Sequence, residues 1–150
     1  VYKRQQYTLF GHSAGSQFLH RFFYYIPDAR VKRAIAANAG WYTMPDFGVE
    51  YPYGLADSGV SEDVLASYFA RDLVVLLGDA DTNREDEDLR KSPEAELQGR
   101  HRYDRGHTFY RVARAKAEEL GVDFGWRLVE VPGAAHSNAD MTPAAAHLVD

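Results

Sequence analysis

The stretch YTLFGHSAGSQF, Tyr7–Phe18, joins a β-prone run to an amphipathic segment through a turn containing two glycines. Tyr7–Phe10 has the aromatic and β-branched composition of a strand, and Gly11 ends it. Beyond the turn, apolar residues recur at helical spacing, which predicts a helix with one buried face. These residues are Phe18, Leu19, Phe22, Phe23 and Ile26. A strand that passes directly into a helix is the repeating unit of an α/β sheet.

The same alternation of strand and helix continues along the chain. Leu73–Leu77 is apolar at every position, as expected for a strand covered by helices on both faces of a parallel sheet. Two further strands are predicted at Val31–Ala37 and Trp126–Val131. Further helices are predicted after the cap Ser61, before the stop Gly121, and from the pair Thr142-Pro143, read as a cap and a first helical residue. The order predicts the α/β class, with a parallel sheet of about four strands and flanking helices.

Composition limits the classes of protein that this chain can represent. With 150 residues and 45% hydrophobic residues, the chain is expected to form one domain, residues 1–150. A net charge of -5 argues against a nucleic-acid partner, and no apolar run is long enough to span a membrane. The absence of cysteine excludes disulfides, thiolate metal sites and a cysteine nucleophile. No cofactor is expected.

The motif Gly11-His12-Ser13-Ala14-Gly15 has the G-x-S-x-G pattern of a nucleophile elbow, and it lies in the required context between a strand and a helix. We expect the two glycines to relieve steric clashes in a tight turn that presents the Ser13 hydroxyl. The helix N-terminus then directs free N–H groups at a developing oxyanion, and Ala14 N–H is one expected donor.

A serine hydroxyl needs a base to remove its proton and a carboxylate to hold that base. In a parallel sheet both are expected just after later strands, where the strand ends form the site. The third strand leads into Asp79 and Asp81, which compete for the acid role, and the fourth leads into His136. The order Ser, Asp, His is that of the α/β-hydrolases.

The segments FGHSAG, LLGDADT and VPGAAHSNADM together resemble the C-terminal half of an α/β-hydrolase serine esterase, in particular the polyhydroxyalkanoate (poly-3-hydroxybutyrate) depolymerase-like group. The resemblance implies that Ser13 is the nucleophile, His136 the general base and Asp81 the acid, because the acid of this superfamily usually follows a G-x-x-D pattern. It implies hydrolysis of small or polymeric carboxylic esters through an acyl-enzyme, and a secreted or periplasmic location. Peptidase and acyltransferase chemistry on the same triad stay open.

The position of the elbow near the start of the chain leads to a second expectation. A complete α/β-hydrolase has about four strands before its elbow, and its second oxyanion donor lies in a loop among them. The sequence therefore predicts a partial domain whose first strand has an exposed edge and pairs with a missing N-terminal half or another chain. The alternative to an esterase is a catalytically incomplete remnant or interaction module that needs such a partner.

Three aromatic residues near the elbow are candidates for substrate contact. His12 is the variable residue of the motif, and it either packs or lines the pocket. Trp41 and Tyr42 open a long loop, residues 41–59, that follows the second strand and emerges beside Ser13. This loop either walls an acyl or alcohol pocket or packs its rings onto the sheet.

The remaining histidines and the acidic segment are not expected to carry chemistry. His101, Asp104 and His107 have a spacing that suits a metal, but Gly106 is expected to interrupt the helix, so no metal site is predicted. His20 and His147 are expected on exposed helix faces. Residues 84–98 form an acidic segment, and its acidic run, residues 85–88, is predicted to be a solvated loop.

Overall fold

Four parallel strands form one sheet in the order β1-β2-β3-β4 in the structure, a computed structural model that describes residues 5–150. The predicted α/β class and the four predicted strands are confirmed. Within the described residues, no helix is long and apolar enough to cross a membrane. The elements are β1 Tyr7–His12, α1 Ala14–Tyr25, β2 Val31–Ala37, α2 Glu62–Phe69, β3 Leu73–Gly78, α3 Pro93–Gln98, α4 Arg102–Leu120, β4 Arg127–Val131 and α5 Asn138–His147.

Helices cover both faces of the sheet, as the unbroken apolarity of β3 predicts. Successive side chains of a strand point to opposite faces, so Val75 and Leu77 join one core cluster while Val74 and Leu76 join the other. The larger cluster contains residues of α1, α2 and α4, and the smaller one contains residues of α5. The sheet is therefore held between two apolar layers, with its carboxyl edge free to carry polar groups.

Strand β1 lies at one edge of the sheet. Among residues 5–150 it pairs only with β2, and Tyr7 and Phe10 are 44% and 38% exposed. An edge strand with exposed aromatic side chains can accept a further strand. Pairing with another segment or chain stays a prediction.

The helices differ from the sequence expectations in two places, and the short helix α3 was not predicted. Helix α3 lies in the acidic segment, after the run predicted to be a solvated loop; Ser92 accepts from Ala95 N–H at 3.3 Å and Pro93 takes the first helical position. Helix α4 continues through Gly106, so that glycine does not interrupt it. Helix α5 begins after Ser137 rather than at Thr142, because the Ser137 hydroxyl caps Asp140 N–H at 3.2 Å.

His20 is completely buried, which corrects the expectation of an exposed face. Its Nδ1 lies 3.0 Å from Ser16 O, and its Nε2 accepts from Thr43 N–H at 3.0 Å. Both ring nitrogens are thus used by the neutral imidazole. Burial, with the Arg21 charge as a second cause, lowers the pKa of His20 from 6.5 to about 3.

We expect His20 to make the fold acid-sensitive. Because its pKa is lower in the folded state, the unfolded chain binds the proton first, so stability is full above pH 6.5 and falls toward pH 3. Between these values the loss from this group is about 1.4 kcal/mol per pH unit. Urea unfolding from pH 7.5 to 5 should show this slope. The dependence of the free energy of unfolding on pH should become flatter in His20→Gln. It should persist in the control His147→Gln, which alters an exposed histidine. An unchanged slope in His20→Gln would contradict this account.

Candidate active site

Ser13 lies at the turn between β1 and α1 with φ 57 and ψ -116, a backbone conformation that non-glycine residues rarely adopt. The Ser13 N–H donates to Ala37 O at 2.9 Å, which ties the turn to the end of β2. Strain of this kind persists only where the surrounding structure enforces it, and it is concentrated at functional sites. The strained turn presents the Ser13 side chain at the carboxyl edge of the sheet.

The two glycines of the motif have different roles. A Cβ on Gly11 would lie 2.5 Å from Gly15 O, so only glycine lets the strand and the first helical turn approach this closely. A Cβ on Gly15 would meet nothing within 4 Å among the described residues. The expectation that both glycines relieve a clash is therefore corrected, since Gly11 alone does so here.

The side chains of Ser13, His136 and Asp81 form a continuous chain of hydrogen bonds. His136 Nε2 lies 2.9 Å from Ser13 Oγ, and His136 Nδ1 lies 2.8 Å from Asp81 Oδ2. A carboxylate only accepts, so Nδ1 carries the proton and Nε2 is left as the acceptor of the serine hydroxyl. Asp81 is 2% exposed, which keeps its bond to His136 away from water. The structure thus brings together the three residues predicted for catalysis.

Asp79, the competing aspartate, holds the loop that carries His136. Its Oδ1 accepts from Gly133 N–H at 2.7 Å, as expected for an aspartate that bonds to nearby backbone. The Ala80 N–H donates to Ala134 O at 2.9 Å. A Cβ on Gly78 would lie 2.3 Å from Ala134 O, so glycine lets the base loop lie against the end of β3. These contacts fix the loops after β3 and β4 to each other.

Arg102 is a buried cation beside Asp81 that the sequence analysis missed. Its Nη1 lies 3.6 Å from Asp81 Oδ1 and 2.6 Å from Asp86 Oδ2. The hydrogen bond from Arg102 is the first cause of a lowered pKa at the Asp86 carboxyl. Arg102 is the first residue of α4 and lies in a polar stretch. The sequence therefore gives no sign that its side chain is buried. Arg102 and His136 lie against different oxygens of the Asp81 carboxylate, Oδ1 and Oδ2 respectively.

Asn38 was also missed, and it connects the elbow to the acid loop. It is fully buried with a positive φ of 50, its Oδ1 accepts from Gly78 N–H at 2.9 Å, and its Nδ2 lies 3.4 Å from His12 Nε2. The His12 ring lies 4.8 Å from the His136 ring, centroid to centroid. Burial, followed by the neighbouring His136, lowers the pKa of His12. A neutral His12 therefore packs against the candidate base.

Ala14 is the first residue of α1, where backbone N–H groups have no intrahelical partner. Its N–H and the positive end of the helix dipole lie next to Ser13. This placement is compatible with the predicted role of Ala14 as an oxyanion donor, which stays a prediction.

The two loop aromatics predicted to contact substrate have different surroundings. Tyr42 is completely buried and stacks on Phe109 at 4.5 Å, an arrangement that favours the packing alternative for this ring. Trp41 is partly exposed, and Arg21 lies 4.1 Å from its ring centroid. Of the two rings, only that of Trp41 is accessible to solvent.

The side chains with metal-like spacing are used in other contacts. His101 Nδ1 accepts from Asp104 N–H at 3.2 Å as a helix cap, and His107 Nε2 lies 2.7 Å from Glu130 Oε1. Across residues 5–150, no group of three or more ligating side chains is arranged to hold a metal ion.

Solved structures similar to this chain include two enzymes. Poly(aspartic acid) hydrolase-1 from Sphingomonas sp. KT-1 shares 49% sequence identity at a TM-score of 0.94, over 96% of this chain and 55% of that chain. LpqC, a poly(3-hydroxybutyrate) depolymerase from Bordetella parapertussis, shares 41% identity at a TM-score of 0.89, over 94% of this chain and 47% of that chain. This chain thus spans about half the length of each. No family model and no curated protein matches it.

Both similar proteins are hydrolases by name, and one is a depolymerase of the group that the sequence motifs indicate. The predicted resemblance to the depolymerase-like α/β-hydrolases is therefore confirmed.

Proposed function

We propose that this chain, which resembles the depolymerase-like α/β-hydrolases, carries the catalytic triad of a serine hydrolase that cleaves carboxylic esters. The observation that supports this most is the unbroken series of contacts from Ser13 through His136 to Asp81. An ordinary serine turn has no need of a buried carboxylate aligned on a histidine. Both similar hydrolases are named for polymers, which favours a polymeric substrate, and the depolymerase of poly(3-hydroxybutyrate) favours an ester.

The proposed acylation step begins with a proton transfer from Ser13 Oγ to His136 Nε2. The oxygen attacks the ester carbonyl carbon at the same time, and the carbonyl electron pair moves onto the oxygen as an oxyanion. Ala14 N–H and the dipole of α1 stabilise that oxyanion. Asp81 holds the imidazole in the required tautomer and stabilises the imidazolium that forms.

Collapse of the tetrahedral intermediate breaks the bond to the leaving alcohol, which takes the proton from His136 Nε2. The acyl group is then bonded to Ser13 Oγ. In the second half of the reaction, His136 removes a proton from water, which attacks the acyl carbonyl. The tetrahedral intermediate then breaks the bond to Ser13 Oγ, which takes the proton back from His136 Nε2, and the acid is released. Because His12 is neutral and packed against the base, it adds no second positive charge next to the imidazolium.

Amide hydrolysis is the second candidate, and one specific observation favours it. The similar protein with 49% identity is named for poly(aspartic acid), a polymer joined by amide bonds. The triad serves either bond, since the leaving amine takes the same proton from His136 that an alcohol would take. A catalytically incomplete remnant that needs a partner is the alternative in which neither reaction occurs.

The proposal is tested by trapping the acyl-enzyme. We expect p-nitrophenyl butyrate to release a burst of p-nitrophenol equal to the protein concentration, and mass spectrometry to find the butyryl group on Ser13. In His136→Gln the burst should disappear, because no base activates the serine. The matching p-nitroanilide separates the two chemistries, since a burst with that compound supports amide hydrolysis. A folded chain without any acyl-Ser13 would favour the remnant alternative.

A further inference from the structure

Two arginines lie against the same indole ring, that of Trp41 in the loop after β2. The guanidinium carbon of Arg21 lies 4.1 Å from the ring centroid of Trp41, and that of Arg90 lies 5.0 Å from it. Both distances suit cation–π contacts. The two positive charges are therefore gathered at one place, although the chain as a whole has a net charge of -5.

Each guanidinium is held by a single neutral hydrogen bond. Arg21 Nε donates to Thr43 Oγ1 at 2.8 Å, and Arg90 Nη1 donates to the Tyr53 hydroxyl at 3.0 Å. An arginine has five N–H donors, so most of the donors of both residues have no protein acceptor among residues 5–150. One of the unpartnered atoms is the buried Nη2 of Arg21.

No carboxylate balances this charge within the part of the chain that the structure describes. None of its ion pairs includes Arg21 or Arg90. Burial lowers the pKa of Arg21, and repulsion by Arg90 acts in the same direction. A partly desolvated cation without a counter-ion is costly, so an anion placed here would be stabilised by both guanidinium groups.

An open groove of about 390 Å³ runs along α1 from Ala14 past Arg21, which is the one arginine of the pair that lines it. The rest of its lining is formed by Tyr51 of the long loop and by polar and apolar residues of α1 and its C-terminal cap: Gln17, Phe18, Phe22, Tyr25 and Ile26. Ala14 follows Ser13 directly, and Arg21 lies two turns further along the same helix, roughly 10 Å from Ala14 along the axis. A short oligomer with one carbonyl at Ser13 can therefore place a neighbouring unit at Arg21.

We propose that Arg21 and Arg90, stacked on Trp41, form a carboxylate-binding subsite, and that the substrate is an oligomer or polymer bearing carboxylates along its chain. This inference rests on the proposed hydrolase function, and it names the substrate class of that site. It distinguishes between the polymers that name the similar enzymes, because poly(aspartic acid) is anionic whereas poly(3-hydroxybutyrate) is neutral. The subsite recognises the side group of each unit, so it is independent of whether an ester or an amide is cleaved.

The test compares ligands that differ in one group. A trimer of β-linked malate has the backbone of the 3-hydroxybutyrate trimer with a carboxylate in place of each methyl group. A trimer of β-linked aspartate keeps the carboxylates and replaces the ester bonds by amides. Their binding is measured by isothermal titration to the Ser13→Ala chain, which cannot form an acyl-enzyme, with the fluorescence of Trp41 as a second readout.

We expect the two carboxylate trimers to bind about tenfold more tightly than the neutral trimer, the scale of one charge-assisted contact. The advantage should shrink as salt is raised, because exposed charges are screened. Arg21→Gln and Arg90→Gln should each remove most of the advantage. Arg114→Gln, which removes the same charge from an exposed position on α4, should leave it intact.

Equal binding of the neutral and anionic trimers would overturn the subsite, and so would a preference that survives in Arg90→Gln. Arg90 is exposed and makes one side-chain hydrogen bond, so that variant decides the question even if Arg21→Gln fails to fold. A similar loss in Arg114→Gln would show general attraction instead of a subsite. If the carboxylate trimers bind more tightly but the unmodified chain hydrolyses none of them, the proposed hydrolase function is refuted and the subsite is not. The two outcomes are separable because binding to Ser13→Ala requires no chemistry.

Discussion

Ser13→Ala is expected to lower ester turnover by about 10⁴-fold or more, leaving only the residual rate that substrate binding and the oxyanion donor provide. The change removes the only atom of the proposed mechanism that bonds to substrate. It leaves the turn itself intact, since the Ser13 N–H and carbonyl make the backbone bonds to Ala37 and Gln17. Initial rates with a short p-nitrophenyl ester measure the effect, and circular dichroism confirms that the variant is folded.

Ser16→Ala is a matched control for this prediction. Ser16 lies in the same helix, is completely buried, and has an Oγ without a hydrogen-bond partner among the described residues. Removing that hydroxyl breaks no bond, so turnover should stay within a factor of about two of the unmodified chain. The assignment of Ser13 as nucleophile would be contradicted if turnover survived in Ser13→Ala. It would also be contradicted if turnover fell as far in Ser16→Ala as in Ser13→Ala.

The sheet and the three catalytic candidates were predictable because each depends on a short local signal. Leu73–Leu77 is apolar on both faces, and only a strand between two helical layers needs that pattern. Once the strands are parallel, their carboxyl ends meet at one edge, so Asp81 and His136 are placed near Ser13 by topology alone. Their contacts at 2.8 and 2.9 Å follow from the loops after β3 and β4.

The residues that the sequence did not reveal depend on contacts between distant segments. Arg102 lies in a stretch with charged neighbours, and its burial arises only because α4 begins beside the loop that carries Asp81. His20 lies among apolar residues of α1. One of its ring nitrogens contacts Ser16 O in the same helix, and the other accepts from Thr43 N–H in the long loop. Periodicity ranks positions on a helix, but it does not identify which polar group finds partners inside.

The same limitation applies to helix starts and to the arginine pair. Thr142-Pro143 has the composition of a helix start, yet Ser137 is placed three residues before Asp140 N–H and caps the helix earlier. Arg21 and Arg90 are 69 residues apart in the sequence and meet only through Trp41. A charge that is left without a partner is visible only after every segment has been placed.

Asp81→Asn is expected to lower turnover by about 10³- to 10⁴-fold while the fold is retained. An asparagine keeps the size of the side chain, but its amide group can donate to His136 Nδ1. It thereby favours the tautomer that carries the proton on Nε2, which cannot accept the Ser13 proton. Arg102 keeps its 2.6 Å contact with Asp86 in this variant, so no buried cation is left unpaired. Rates and thermal unfolding of the same preparation separate catalysis from stability.

Asp79→Asn is the matched control, because Asp79 lies two residues away and is the competing candidate for the acid. Its Oδ1 accepts from Gly133 N–H, and an amide oxygen can accept that bond equally well. We therefore expect turnover to change by less than about threefold in Asp79→Asn, since a neutral acceptor replaces a charged one at an exposed site. A loss in Asp79→Asn as large as that in Asp81→Asn would mean that negative charge near the base, and not the bond to His136 Nδ1, determines the rate. A loss confined to Asp81→Asn, with a normal unfolding temperature, identifies the buried carboxylate as the group that sets the tautomer of His136.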